Sequence, residues 1–290
     1  MAELFEQTMI NNLTLRNRFV RSATVMGMAE SDGSCRPQLV DAMRDLAVGG
    51  VGLIITGISS VQKGGRSMSW QLACHDDEFL PGLTDMVSAV HEEDGKIAQQ
   101  IMHCGVFSNP DVTGEDSVGP SPMETEDGPV GRRMTMVEIR STVEAFAAAA
   151  KRTMIAGFDA VQIHGAHGFL LSQFLSPFFN RREDEYGGSL ENRARMLLEV
   201  VGAVRETVGT QYPVLIKLNS EDLLENGLTI VEMLQVAAML EKAGVDAIEL
   251  SGGTSLGLYI DKYEITPTQT VRDKVYWQDA AVRYKEKLTI

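Results

Sequence analysis

Short runs of β-branched and aliphatic residues alternate with longer amphipathic segments along the chain, the pattern of successive βα units that build a parallel sheet. The runs predict strands at Arg18–Ala23, Gly52–Gly57, Lys96–Met102, Asp159–Gly165, Pro213–Asn219 and Ala247–Gly253. Their apolar residues are nearly continuous, as expected when helices cover one face of the sheet and a packed interior lies on the other. The longer segments predict helices at Gln38–Val48, Pro81–Glu93, Val137–Ala156, Asn192–Thr207, Ile230–Ala243 and Val271–Lys287. Gly49, Gly157, Gly209 and Gly244 fall just past helix ends, where glycine adopts a left-handed conformation with least strain, and Ser189 is placed to cap ENRARMLLEVV.

Six βα units in strict succession, with no G-x-G-x-x-G after the first strand, favour an α/β fold of the (β/α)8 TIM-barrel type over a dinucleotide-binding sheet. The sequence reaches Leu288–Ile290 where a seventh strand would begin, so the expectation is one C-terminally incomplete barrel domain over residues 1–290. An open parallel sheet leaves unpaired edges, which makes a barrel that is inert alone, or completed by a partner, an alternative reading. Gly105–Thr135 and Phe169–Glu191 are longer than usual connections and would follow strand ends on the catalytic face. The segment GLYIDKYEITPTQTVRDKVYW after the sixth strand offers Tyr259, Tyr263 and Tyr276 as lid or substrate residues, with Tyr263 a candidate proton donor.

Composition narrows the partners. With 290 residues and a net charge of −14, the chain is long enough for a sizeable core and lacks the clustered cations that nucleic acid needs, which points to a small-molecule partner. No apolar run approaches the roughly 18–20 residues of a membrane span, and MAELFEQTMI lacks the order of a signal peptide, so a cytoplasmic location is expected. A homo-oligomer is compatible with this composition. Cys35, Cys74 and Cys104 are far apart and form no CxxC motif, which suits buried or idle thiols.

The stretch QIHGAHGFLLSQFL places His164 at the C-terminal end of the fourth predicted strand and His167 just beyond it. That end of a barrel strand is where this fold builds its sites. Two imidazoles three residues apart can donate N–H bonds to one carbonyl or nitro oxygen and stabilise negative charge developing during reduction. A metal would need a third ligand at a recognisable spacing, and His75, His91 and His103 supply none. Lys217, on the fifth strand, could instead serve a Schiff-base lyase, since a strand lysine suits that chemistry. The Met-rich VMGMAE reads equally as core filler or as a pliable substrate wall.

QIHGAHGFLLSQFLSPFFNRREDEYGGSLENR resembles the signature of the Old Yellow Enzyme family, FMN-dependent ene reductases and NADH:flavin oxidoreductases on a (β/α)8 barrel. LFEQTMINNLTLRNRFVRSAT, GGVGLIITG, QQIMHCG and PVLIKLNSED are similar to the family's first, second, third and fifth strand regions, so the likeness covers essentially the whole chain. It implies an oxidoreductase passing hydride from NADH or NADPH through FMN to an electron-poor acceptor: an unsaturated carbonyl, a nitro compound or a quinone. It also implies that Ser22, Ala23, Thr24 and Val25 pack on the flavin ring, that Gly57 ends strand two against it, and that Gln100 binds its pyrimidine portion. Lys217 takes the place of the basic residue near N1 and the C2 oxygen, where a fixed cation favours the reduced, negatively charged flavin. His164 and His167 match the pair that binds the substrate's activating oxygen.

The likeness has departures. Phe169 stands where many members carry a proton-donating tyrosine, and a phenyl ring has no proton to give. Val25 stands where relatives often have Thr or Cys, with Thr24 one position earlier. The family's FMN-phosphate loops follow strands seven and eight, so weak FMN retention by these residues alone is expected. RREDEYGGSLENR reads as a charged structural loop with a helix cap.

Overall fold

The computed structural model describes residues 3–126, 128–258 and 277–290. Six strands, β1 (Val20–Arg21), β2 (Leu53–Ser60), β3 (Ile97–Met102), β4 (Ala160–Gly165), β5 (Val214–Asn219) and β6 (Ala247–Ser251), pair in chain order, every pair parallel. All six predicted strands are present. β1 is shorter than its apolar run, and β2 runs three residues past Gly57 to Ser60, where Leu72–Ala73 pairs with its end. The longer helices are α1 (Pro37–Val48), α2 (Leu80–His91), α3 (Met136–Ile155), α4 (Leu190–Val208), α5 (Ile230–Lys242) and α6 (Gln278–Lys287). The first part of the predicted Val271–Lys287 helix, and Tyr259, Tyr263 and Tyr276, lie outside the described residues. After α6, Leu288 packs into the main core and the Thr289 amide donates to Glu241; these last residues are not strand.

Helix ends follow local chemistry. Thr135 and Thr229 begin α3 and α5 with reciprocal bonds to Glu138 and Glu232, and the Ser189 hydroxyl accepts the Asn192 amide at the start of α4. Gly157, Gly209 and Gly244 have φ of 93°, 78° and 94°, as their positions predict. Gly49 differs: it is right-handed at φ −65°, and Gly50, at φ 79°, makes the left-handed turn.

The period-two alternation of the strands sorts their side chains into two environments. Ile97, Ile101, Val161, Ile163, Val214, Ile216 and Leu218 pack outward with the helices in the main core. The inward positions rise in layers. At the bottom Leu53, Ile55, Ala98, Ala160 and Leu215 close on Leu13 and Leu15, which belong to an N-terminal hairpin of Thr8–Ile10 and Leu13–Leu15. Above them the inward residues are mainly polar, Gln100, Gln162, Lys217 and Glu249, then His164, Asn219 and Ser251, with Ile58 and Met102 as apolar exceptions. The near-continuous hydrophobicity expected of the strands therefore holds best for the outer face and the lower interior.

The two long connections are partly ordered by secondary structure. Gly105–Thr135 holds short strands Val118–Gly119, Met123–Thr125, Gly128–Val130 and Arg132–Arg133, and Phe169–Glu191 opens with a helix at Leu170–Leu175. Within the latter, buried Arg182 donates to Pro120 O and Met134 O and pairs with Asp184, while Asn180 bridges Phe174 O and Tyr186 O. The charged loop thus ties the two connections together. Among the described residues, no helix is long and apolar enough to cross a membrane.

Candidate active site

At the C-terminal end of the strands a cavity of about 330 Å³ gathers Ala23, Val25, Gln100, His164, His167 and Lys217, six of the residues singled out in the sequence. Ile58, Met68, Trp70, Phe169 and Ser255 complete its wall. Three other expected residues stand beside it. Thr24 and Gly57 line a smaller adjoining pocket with Met26, Met28 and Trp70, and Ser22 is reached through its hydroxyl. Gly57 does not end its strand: it lies at the irregularity between Ile55 and Ile58, and a Cβ there would come within 2.9 Å of Thr24 O. Its smallness lets the segment after β1 approach β2. Met26 and Met28 also pack on the main core.

The two histidines are close, with ring centroids 5.1 Å apart and planes at 76°. His164 Nδ1 accepts the Ala166 amide at 3.2 Å, which places the proton of the neutral ring on Nε2. His167 sits at φ 60°, a left-handed conformation unusual for a non-glycine residue. Its amide donates to Asn219 Oδ1 at 3.1 Å, and its Nε2 lies 2.7 Å from Ser251 Oγ. Burial and the neighbouring Lys217 charge push His167 down to about 4. Burial, then His167 and Lys217, hold His164 well below the usual imidazole range. Both rings are therefore neutral near pH 7 and can offer N–H donors without bringing positive charge. Phe169 meets His164 edge to face at 5.2 Å and buttresses the ring.

On the neighbouring strand, in register with His164, Lys217 Nζ donates to Ser22 Oγ at 2.8 Å and to Glu249 Oε1 at 2.8 Å. Glu249 also accepts from Ser22 Oγ and, at 2.8 Å, from Gln162 Nε2; Gln162 in turn accepts from Gln100 Nε2 at 2.6 Å. Glu249, Gln162 and Ser251 were missed in the sequence. Their signal was nonetheless present as polar residues at alternate positions of the apolar runs VQIHG and IELSG, the spacing that turns them inward. Asp222 is fully buried, and its carboxylate receives Asn219 Nδ2 at 3.0 Å, steadying the asparagine that holds His167.

A larger cavity of about 650 Å³, between α3 and the segment after β2, contains none of the expected residues. Its arginines are occupied: Arg132 with Glu138 and Arg152 with Asp77. Cys74 and Cys104 are buried, and desolvation pushes their thiols up to about 12, away from nucleophilic use. No group of three or more His, Cys, Asp or Glu side chains among the described residues is placed to hold a metal.

The smaller cavity suits a flavin ring. With Gln100 Nε2 committed to Gln162, its Oε1 is left for a ligand N–H, and the Lys217 cation lies beside it for a carbonyl or ring nitrogen. Apolar Ala23, Val25 and Ile58 face the remainder, and His164 and His167 line the same space.

Comparison with known proteins agrees. The model of the NADH:flavin oxidoreductase / NADH oxidase family matches residues 3–286. The chain is 39% identical over 270 residues to an NADH oxidase of Thermoanaerobacter brockii, covering 91% of this chain and 40% of that protein. It is 37% identical over 274 residues to an NADPH dehydrogenase of Geobacillus sp. (strain WCH70), covering 93% of this chain and 79% of that protein. Among solved structures, a 2-naphthoyl-CoA reductase in complex with 2-naphthoyl-CoA superposes with a TM-score of 0.90 at 29% identity, over 98% of this chain and 44% of the other. The chain thus spans about two fifths of the first relative and most of the second. On the match to nearly its full length, the chain belongs to the NADH:flavin oxidoreductase / NADH oxidase family, the Old Yellow Enzyme family that its sequence resembles.

Proposed function

We propose that the protein is an FMN-dependent oxidoreductase that takes hydride from NADH or NADPH and delivers it to an electron-poor acceptor, an unsaturated carbonyl, a nitro compound or a quinone. The observation that carries this reading is the convergence of Gln100, Lys217, His164 and His167 on one 330 Å³ cavity at the strand ends. FMN, when bound, would accept and return the hydride. The chain's residues would do the rest. Ala23 and Val25 would lie against the ring, with Ser22 and Thr24 shaping the same backbone turn and Gly57 permitting it. Gln100 would bind the pyrimidine edge, and Lys217 would face the side that gains negative charge on reduction. His164 and His167 would donate to the acceptor's activating oxygen, drawing electron density toward it.

The six strands would then be the first six of an eight-stranded barrel, the fold shared by structural neighbours of this family. Lys217 is held by a counterion and a hydroxyl, the arrangement of a fixed cation rather than of a free amine nucleophile, so the Schiff-base alternative has no support in the site. Phe169 lines the cavity and has no proton to transfer, so the proton would come from water or from another group such as Tyr263.

The test is an absorption spectrum of the purified protein, before and after adding FMN and removing the excess by gel filtration. Retained flavin bands of perturbed shape, bleached by NADH or NADPH under anaerobic conditions and restored by an acceptor, are the expected result. A protein that leaves the FMN spectrum unperturbed even before the excess is removed overturns the reading.

A further inference from the structure

Lys217 does not face the cavity as a free charge. It shares its ammonium with Glu249 across paired strands, at register positions directly opposite. Both side chains are largely withdrawn from water, Lys217 8% and Glu249 23% exposed. Glu249 is also fixed from two other sides, by the Ser22 hydroxyl of the turn after β1 and by the Gln162 amide of β4. Burial alone would raise its carboxyl, but the Lys217 charge and the bonds from Lys217, Ser22 and Gln162 outweigh burial and hold it below the usual carboxylate range. The carboxylate is thus a permanent negative charge one hydrogen bond from the cation, and neutral His164 and His167 add no compensating charge on that side.

We infer that Glu249 is a positioning residue that sets how much of the Lys217 charge reaches a bound flavin, and so lowers the flavin's reduction potential. The inference rests on the flavin reading given above. A reduced flavin carries negative charge where the oxidised ring is neutral, so a shared cation stabilises it less than an unshared one, and a nearby carboxylate opposes it directly. The Gln100–Gln162–Glu249–Lys217–Ser22 chain of bonds spans β3, β4, β6, β5 and the turn after β1, which locks the lysine, the carboxylate and the pyrimidine-binding glutamine into one unit. A site with the lysine alone would draw electrons from the nicotinamide more readily and release them to the acceptor less readily. The carboxylate shifts that balance toward release.

The experiment compares the two-electron midpoint potential of FMN bound to wild type and to Glu249→Gln. The glutamine keeps the shape and removes the charge. Reduced FMN is expected to bind at least tenfold more tightly relative to oxidised FMN in the variant, a rise of about 30 mV for a two-electron couple. Glu249→Asp, which keeps the charge but draws it back by one methylene, is expected to shift the same way by a smaller factor, and it serves where the glutamine variant does not fold. A purely structural Glu249 would weaken both oxidation states alike and leave the potential where it was. A folded, flavin-loaded variant whose potential equals or falls below that of wild type therefore overturns this inference and leaves the flavin reading intact. A wild-type protein that takes up no FMN overturns both.

Discussion

His167 illustrates how much one residue can be asked to do. Its backbone is left-handed, its amide is tied to Asn219 and its ring to Ser251, so the side chain is aimed before any ligand arrives. Glycine adopts the same backbone without strain, and His167→Gly removes the imidazole and every side-chain N–H with it. Replacing His167 with glycine and His164 with alanine is expected to weaken binding of a phenol or an unsaturated ketone to the FMN-loaded protein by roughly 10- to 100-fold, the worth of two hydrogen bonds, with FMN still bound. A ligand titration followed by the flavin absorbance checks this; loss of the flavin itself would assign the pair a structural role. The histidines were legible in the sequence because HGAH ends a strand. Glu249 showed only that it turns inward, because a single carboxylate in IELSG carries no sign of the lysine that the register sets opposite it 32 residues away.

At the scale of elements, strands and helices were readable because each is long enough to show its period. The N-terminal hairpin was not: its three-residue strands are too short to display alternation, yet Leu15 is 1% exposed and plugs the lower interior. Leu15→Ala is expected to cost about 2–5 kcal/mol in urea unfolding, as for a fully buried leucine that leaves a cavity. The turn at Gly49–Gly50 was misplaced by one residue for a related reason, since two consecutive glycines are equally permissive and only the helix geometry chooses between them. Thr229→Ala should cost about 1 kcal/mol by removing the cap of α5. Glu232→Ala should cost more, because the same carboxylate pairs at 2.6 Å with buried Arg193 of α4 and its loss strands that guanidinium. The two midpoints, measured side by side, separate a cap from a tie between helices.

For the whole molecule, the βα succession made the barrel-type order legible, while the layering of its interior emerged only from the register. Buried neutral histidines give that interior a dependence on acid. Burial lowers His103 to about 4, and burial with Lys217 does the same for His167, against 6.5 for an exposed ring. As pH falls from about 6.5 to about 4, the unfolded chain gains protons that the folded one refuses, so stability declines through that window. Each ring accounts for roughly 3 kcal/mol at the acid end, the value of its displacement at 1.36 kcal/mol per pH unit. Urea midpoints that stay level between pH 7 and 4.5 would refute this, and His103→Asn should flatten the decline. The leucine plug has a kinetic consequence as well. With Leu13 and Leu15 sealing the lower interior and a flavin ring filling the cavity of about 330 Å³, the one face left at the end where the histidines stand would have to serve donor and acceptor alike. Electron donor and electron acceptor would then visit by turns, and double-reciprocal rate plots at several fixed donor concentrations should run parallel instead of crossing.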